Sequence, residues 1–114
     1  MNGNIDDKLK IVTGDPTRVT ATGWLVFTPG VPDKVQVWVG VSQGKKDDPK
    51  AVYGEGMVDV HRPAAPETEA LWQCPIHIEN GAGTYKKGAA GAGAVVIDDE
   101  VEPYPWGRQV KLQK

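Results

Sequence analysis

The segment from residue 34 to residue 43 alternates strictly between valine and other residues, and this alternation constrains the fold more than any other feature. Val35, Val37, Val39 and Val41 occupy every second position, so an extended strand presents all four on one face. Their β-branched side chains also favour a strand over a helix. We therefore predict a β-strand with one face in a hydrophobic core.

The same period of two recurs along the chain between turn-forming residues, and no segment has the 3.6-residue period of a helix. Further strands are predicted at residues 9–11, 18–28, 51–61, 70–79, 84–97 and 110–112, the sixth of the seven being bent at its glycines. Residues 62–69 are predicted as a crossover between sheets, and 98–106 as a surface loop. The 114 residues suit a single domain, 1–114. We expect a single antiparallel β-sandwich of about seven short strands with an immunoglobulin-like arrangement, and a partly open barrel is the alternative.

Charge and cysteine content bear on partners and compartment. The net charge of −2 provides no basic footprint, so a nucleic-acid partner is not expected. A single cysteine cannot form an internal disulfide, which favours a reducing compartment. No apolar run approaches the length of a membrane span, and the N-terminus lacks a signal-peptide pattern. The expected location is cytoplasmic and away from membranes, with a secreted location as the alternative if a signal peptide has been removed.

Aromatic residues predict a binding patch. Turn residues at 29–33 favour a hairpin between the strands 18–28 and 34–43, and in that register Trp24 faces Trp38 on an otherwise polar surface. The next strand then adds Tyr53 and Glu55 to this patch. Trp106, held between prolines and glycine, is a further candidate. Aromatic clusters on polar faces are typical of contact surfaces for proteins or sugars.

Residues able to perform catalysis are scarce. Ser42 and Cys74 are the only serine and cysteine, and neither lies in a nucleophile motif, so we expect no enzyme activity and no cofactor. We expect both histidines to be solvated. The alternative is a metal site built from Asp59, His61, His77 and Glu79.

Three functions therefore follow from the sequence. The first is a non-enzymatic module that binds a protein partner or forms a homo-oligomer through the aromatic patch. The second is a carbohydrate-binding module in which the same aromatic rings stack on sugars. The third is a small hydrolase or metal enzyme that uses the two histidines.

Overall fold

The strands of the protein were located in a computed structural model that describes residues 2–44, 48–79, 83–98 and 101–114, the stretch 101–104 by its backbone alone. Within these ranges the chain forms eight strands and no helix. They are β1 (Asn2–Ile5), β2 (Lys8–Ile11), β3 (Arg18–Val26), β4 (Lys34–Gln43), β5 (Val52–His61), β6 (Glu69–Ile78), β7 (Gly88–Asp98) and β8 (Val101–Gln113). Among the described residues there is accordingly no helix long and apolar enough to cross a membrane.

Seven of these strands close into a barrel in the order β3-β2-β8-β7-β4-β5-β6, because β6 pairs again with β3. Neighbouring strands are antiparallel except β2 and β8, which run parallel. The remaining strand, β1, lies beside the second half of β3. The predicted all-β class is confirmed. The predicted sandwich with an immunoglobulin-like arrangement is not confirmed, because the sheet closes into a barrel, and the partly open barrel that was the alternative is closer to this structure. Closure of the sheet pairs the strand edges that a sandwich would leave open.

The predicted hairpin between β3 and β4 is also wrong. All nine residues of β3 pair with β6 on one edge, while β1 and β2 occupy the other edge. The turn residues at 29–33 therefore connect two strands that are not neighbours. Arg62 holds this connection in place, since its Nε lies 3.0 Å from Asp33 Oδ1 and its guanidinium carbon lies 5.2 Å from the centre of the Phe27 ring.

Three segments differ from their predicted structure. The stretch 101–106, predicted as loop, belongs to β8, which pairs with β7 there. Among the described pairings, β2 joins β8 only at residues 111–113, so the stretch around Pro105 is paired with β7 alone. Proline is tolerated there because it lacks the N–H that a second neighbouring strand would require. Residues 62–69 connect β5 to β6, which are adjacent in the same sheet, and are not a crossover between sheets. The strand Asn2–Ile5 was not predicted.

The core fills the barrel, and it uses the alternation seen in the sequence. The four valines of β4 are at most 1% exposed, as predicted. Alanines at every second position of β7, the strand next to β4, also point into the core. Cys74 is fully buried, and the hydroxyl of buried Tyr85 donates a hydrogen bond to the Val41 carbonyl oxygen at 2.8 Å. Because alternate residues of β4 and β7 point inward, the residues between them form the outer surface where the candidate site lies.

Candidate functional site: a groove floored by glycine

An open groove of about 540 Å³ runs over the outer face of β5, β4, β7 and β8. We call it the glycine groove, and it is lined by Trp38, Gly40, Ser42, Tyr53, Gly91, Ala92, Gly93, Arg108 and Gln109. Two rows of residues in cross-strand register build it. One row is Glu55, Gly40, Gly93 and Gly107, and the next is Tyr53, Ser42, Gly91 and Gln109. The first row contains glycine on three adjacent strands. The floor of the groove is bare backbone at Gly93 and Gly107, whereas the Trp38 ring and the Tyr53 hydroxyl lie over Gly40.

The glycines of the floor differ in what surrounds them. A Cβ placed on Gly40 would lie 2.8 Å from the ring of Trp38 and 3.0 Å from the Tyr53 hydroxyl, so packing requires glycine there. A Cβ on Gly93 would approach only the Trp106 carbonyl oxygen, at 3.7 Å, which is an ordinary contact. The backbone at Gly93 also lies outside the left-handed region. Neither packing nor conformation requires glycine at Gly93, and its missing side chain leaves space for a ligand.

Trp38, Tyr53 and Glu55 form a hydrogen-bonded group along one side of the groove. The Glu55 Oε2 atom accepts hydrogen bonds from Trp38 Nε1 at 3.1 Å and from the Tyr53 hydroxyl at 3.2 Å. Partial burial, followed by the hydrogen bond and the charge of Glu55, raises the pKa of Tyr53, which keeps its hydroxyl protonated as a donor. Both aromatic rings are thereby fixed, and among the described residues no protein donor is bonded to Glu55 Oε1.

The structure brings together only part of the predicted aromatic patch. Trp38, Tyr53 and Glu55 are neighbours, although β4 and β5 pair two residues away from the predicted register. Trp24 lies elsewhere on the barrel, where its register partners are Asn4 and Leu71, so the predicted pairing of Trp24 with Trp38 is wrong. The physical reason is that β3 pairs with β6 and not with β4.

Trp106 is placed separately from these three residues. It is partly buried, packs against the core, and its ring lies next to Gly3 of β1. Trp106 therefore belongs to the packing between β8 and β1. Arg108, which lines the groove, also links β8 to β1, because its Nη1 atom donates a hydrogen bond to the Ile5 carbonyl oxygen at 3.0 Å.

The four residues considered as metal ligands do not converge. His77 is opposite Glu55 near the start of β5, whereas His61 ends that strand, six residues away or about 20 Å in an extended chain. Asp59 accompanies His61 on β5, and Glu79 follows β6 near His77. No group of three His, Cys, Asp or Glu side chains able to hold a metal occurs in the part of the chain that the structure describes.

One pattern in the sequence corresponds to the groove. Gly91 and Gly93 alternate with Ala90, Ala92 and Ala94, so between residues 90 and 94 the outer face of β7 carries only glycine and the inner face only alanine. This stretch was interpreted as bent and poorly packing strand. Glycine inside a strand also marks places where a ligand or another backbone can approach closely, and here it leaves a shallow groove on the outer face of β7.

Comparisons with known proteins add no family assignment. Neither the protein-family models, nor the curated proteins, nor the solved structures that were searched contain a match to this chain.

Proposed function

We propose that the protein is a non-catalytic binding module and that the glycine groove holds a saccharide. The observation that carries this proposal is an indole ring hydrogen-bonded to a carboxylate beside an open groove with glycine in its floor. Sugar rings have apolar C–H faces that pack on aromatic rings, and binding sites generally combine such apolar surface with a few polar groups. Trp38 supplies the aromatic surface, and Ser42, Gln109 and Glu55 supply groups that bond hydroxyls.

The carboxylate is suited to this task. Since Glu55 Oε2 is occupied by two protein donors, its position is set, and Oε1 remains to accept hydrogen bonds from ligand hydroxyls. Hydrogen bonds to an ionised acceptor are shorter and stronger than neutral ones. Tyr53 and Ser42 belong to the adjacent row, so the Ser42 hydroxyl can both donate to and accept from a ligand beside this carboxylate.

Trp38→Ala is expected to abolish most of the binding while leaving the fold intact. The measurement is migration in native gels that contain, one at a time, a panel of glucans, galactans, mannans, xylans and uronans, followed by calorimetry with the retained polymer. Removing a central tryptophan costs about 2 kcal/mol, or roughly thirtyfold in Kd. Trp24→Ala is the matched control, because Trp24 is equally an outer, partly buried tryptophan but lies outside the groove.

Gly93→Val tests the space itself. This variant adds a side chain to the floor without removing any group that could contact a ligand, so it should weaken binding as Trp38→Ala does. No retention by any polysaccharide of the panel would refute the proposal. Equal losses in Trp38→Ala and Trp24→Ala would refute it as well, since the effect would then not originate in the groove.

A protein partner on the same face is the second candidate function. Met57, which is opposite Trp38 in the register, is 48% exposed, and Ile97 on β7 is 45% exposed. Exposed apolar side chains beside an aromatic ring are typical of contact surfaces between proteins. If the face joins two copies of the chain, Met57→Lys should shift the wild-type dimer to monomer in sedimentation velocity. A wild type that is monomeric at all concentrations would exclude this self-associating form.

A further inference from the structure

The barrel concentrates lysine side chains beside one end of the glycine groove. Five of them, which we call the lysine band, are Lys8, Lys50, Lys86, Lys87 and Lys111, and all five are exposed. In the part of the chain that the structure describes, no ion pair joins a lysine of the band to a carboxylate, although Asp48 lies near Lys50 and Asp7 precedes Lys8. The net charge of −2 conceals this concentration because many carboxylates, Asp33, Asp59, Glu67, Glu69 and Asp98 among them, lie towards the opposite end of the barrel.

Two lysines of the band are carried by a segment that is fixed in place. The Gln43 side-chain amide donates hydrogen bonds to the Lys86 carbonyl oxygen at 2.6 Å and to the Ala89 carbonyl oxygen at 3.2 Å, and it accepts one from the Lys86 N–H at 2.7 Å. Gly88 supplies the positive φ of 133° with which the segment enters β7. Lys86 and Lys87 therefore extend from a backbone that needs no ordering when a ligand binds.

These lysines border a pocket of about 320 Å³. Lys50, Lys86 and Lys87 line it together with Thr84. Among the described residues that line it, the one carboxylate is that of Asp48, which accepts a hydrogen bond from the Lys50 backbone N–H at 2.8 Å. Three ammonium groups against one carboxylate make the pocket attractive to anions.

The glycine groove leads directly into the lysine band. Gly91 lies in the groove, and two residues before it on β7 is Ala89, whose partner on β8 is Lys111. Lys111 in turn is opposite Lys8 of β2. Two residues along a strand span about 6.6 Å, so an extended ligand over Gly93 and Gly91 reaches the lysines without a turn.

We propose that the ligand of the glycine groove is an anionic polysaccharide, with its rings over the glycine floor beside Trp38 and its carboxylate or sulfate groups at the lysine band. This inference rests on the saccharide function proposed above and specifies the class of saccharide. A nucleic acid is the less suitable polyanion because Glu55 stands at the aromatic end of the groove. A carboxylate accepts hydrogen bonds from the hydroxyls that a sugar ring carries, whereas a nucleotide offers it few such donors.

The test compares polymers that share a backbone and differ in charge. The probes are polygalacturonate with its methyl ester, dextran sulfate with dextran, and an oligothymidylate, all examined in native affinity gels. At least one charged saccharide should retain the wild type more strongly than its neutral counterpart, and the retention should weaken as salt rises. The double variant Lys87→Gln/Lys111→Gln should bind that polymer roughly tenfold more weakly. Lys34→Gln, an exposed lysine at the opposite end of β4, is the control and should bind as the wild type does.

The possible outcomes separate this inference from the proposed function. Equal binding of a neutral and a charged polymer, with no effect of the double variant, would overturn the anionic ligand and leave the saccharide groove standing. Retention by none of the saccharides, across these probes and the earlier panel, would overturn both. Tighter binding to the oligothymidylate than to every saccharide would also overturn both, because the polyanion would then be a nucleic acid. Loss of binding in Lys34→Gln equal to that in the double variant would overturn the lysine band as the site.

Discussion

Gly56→Ala should destabilise the protein by about 3 kcal/mol, because it forces a methyl group into the closest approach of two strands. A Cβ on Gly56 would overlap the Pro75 carbonyl oxygen and would lie 3.1 Å from Cys74 Sγ. Both obstacles belong to β6, and the carbonyl oxygen is part of the backbone, so a side-chain rotation cannot relieve the overlap. β5 meets β6 at Gly54 and Glu55, directly beside this position. Relief therefore requires the two strands to separate where the barrel joins them.

Gly93→Ala is the matched control for this substitution. It also places alanine in a strand, but its Cβ meets only an ordinary contact at 3.7 Å. Alanine restricts the unfolded chain more than glycine does, so Gly93→Ala should be neutral or stabilising by up to about 1 kcal/mol. The measurement is urea unfolding followed by circular dichroism. Equal stabilities of the two variants would contradict the close approach of β5 to β6.

The free energy of unfolding should fall by about 1.5 kcal/mol between pH 9 and pH 10.5 through Cys74 alone. Burial raises the pKa of the Cys74 thiol from 9.0 to about 11. In this interval the unfolded chain has released the thiol proton while the folded chain retains it. The unfolded state then binds fewer protons, so stability is complete below pH 9 and decreases as pH rises, by about 1.4 kcal/mol per pH unit.

Tyr85 should add to this alkaline loss of stability. Burial first, and then the nearby Tyr53, raise the pKa of Tyr85 well above its ordinary value of 10.0. Its contribution has the same sign and begins near pH 10, where an unfolded tyrosine ionises. Urea unfolding at half-unit steps from pH 8 to pH 10.5 measures the free energy of unfolding to which both groups contribute.

Two variants separate the contributions. Cys74→Ala lowers stability at every pH because it leaves a cavity, but it should flatten the pH dependence above pH 9. Tyr85→Phe should remove the part that begins near pH 10. A wild type whose stability is constant from pH 8 to pH 10.5 would show that neither group retains its proton in the folded barrel.

Much of the local structure could be predicted because the side-chain period reports it directly. The valines of β4 and the alternating residues of β6 lie inside, as their spacing requires. The interpretation of 101–106 as a loop was wrong because prolines mark loops in most contexts, whereas a strand paired on one side accommodates them. The interpretation of the β7 glycines as bends in a weak strand has a related cause. A sequence does not distinguish glycine that weakens a strand from glycine that leaves open backbone on one face of it.

The candidate site could be predicted only in part. Tyr53 and Glu55 lie beside Trp38 as predicted, although the predicted register between β4 and β5 was wrong by two residues. A shift of a strand by an even number of residues keeps each of its side chains on the same face of the sheet. Trp24 does not lie beside Trp38, because that placement required β3 and β4 to be neighbouring strands. The lysine band was missed since Lys8, Lys86 and Lys111 are far apart in the chain, and net charge carries no information on their arrangement.

The sequence by itself determined that the chain is all-β, where most of its strands run and which of their faces are apolar. Those properties depend on residues two positions apart in the sequence, because such residues lie on the same face of one strand. Tertiary structure alone decided that β6 returns to β3, that the sheet closes, and that Trp38, the glycines of β7 and the lysines share one surface. Pairing between distant strands is selected by how seven strands together fill the interior and satisfy their edges, and no local pattern encodes that choice.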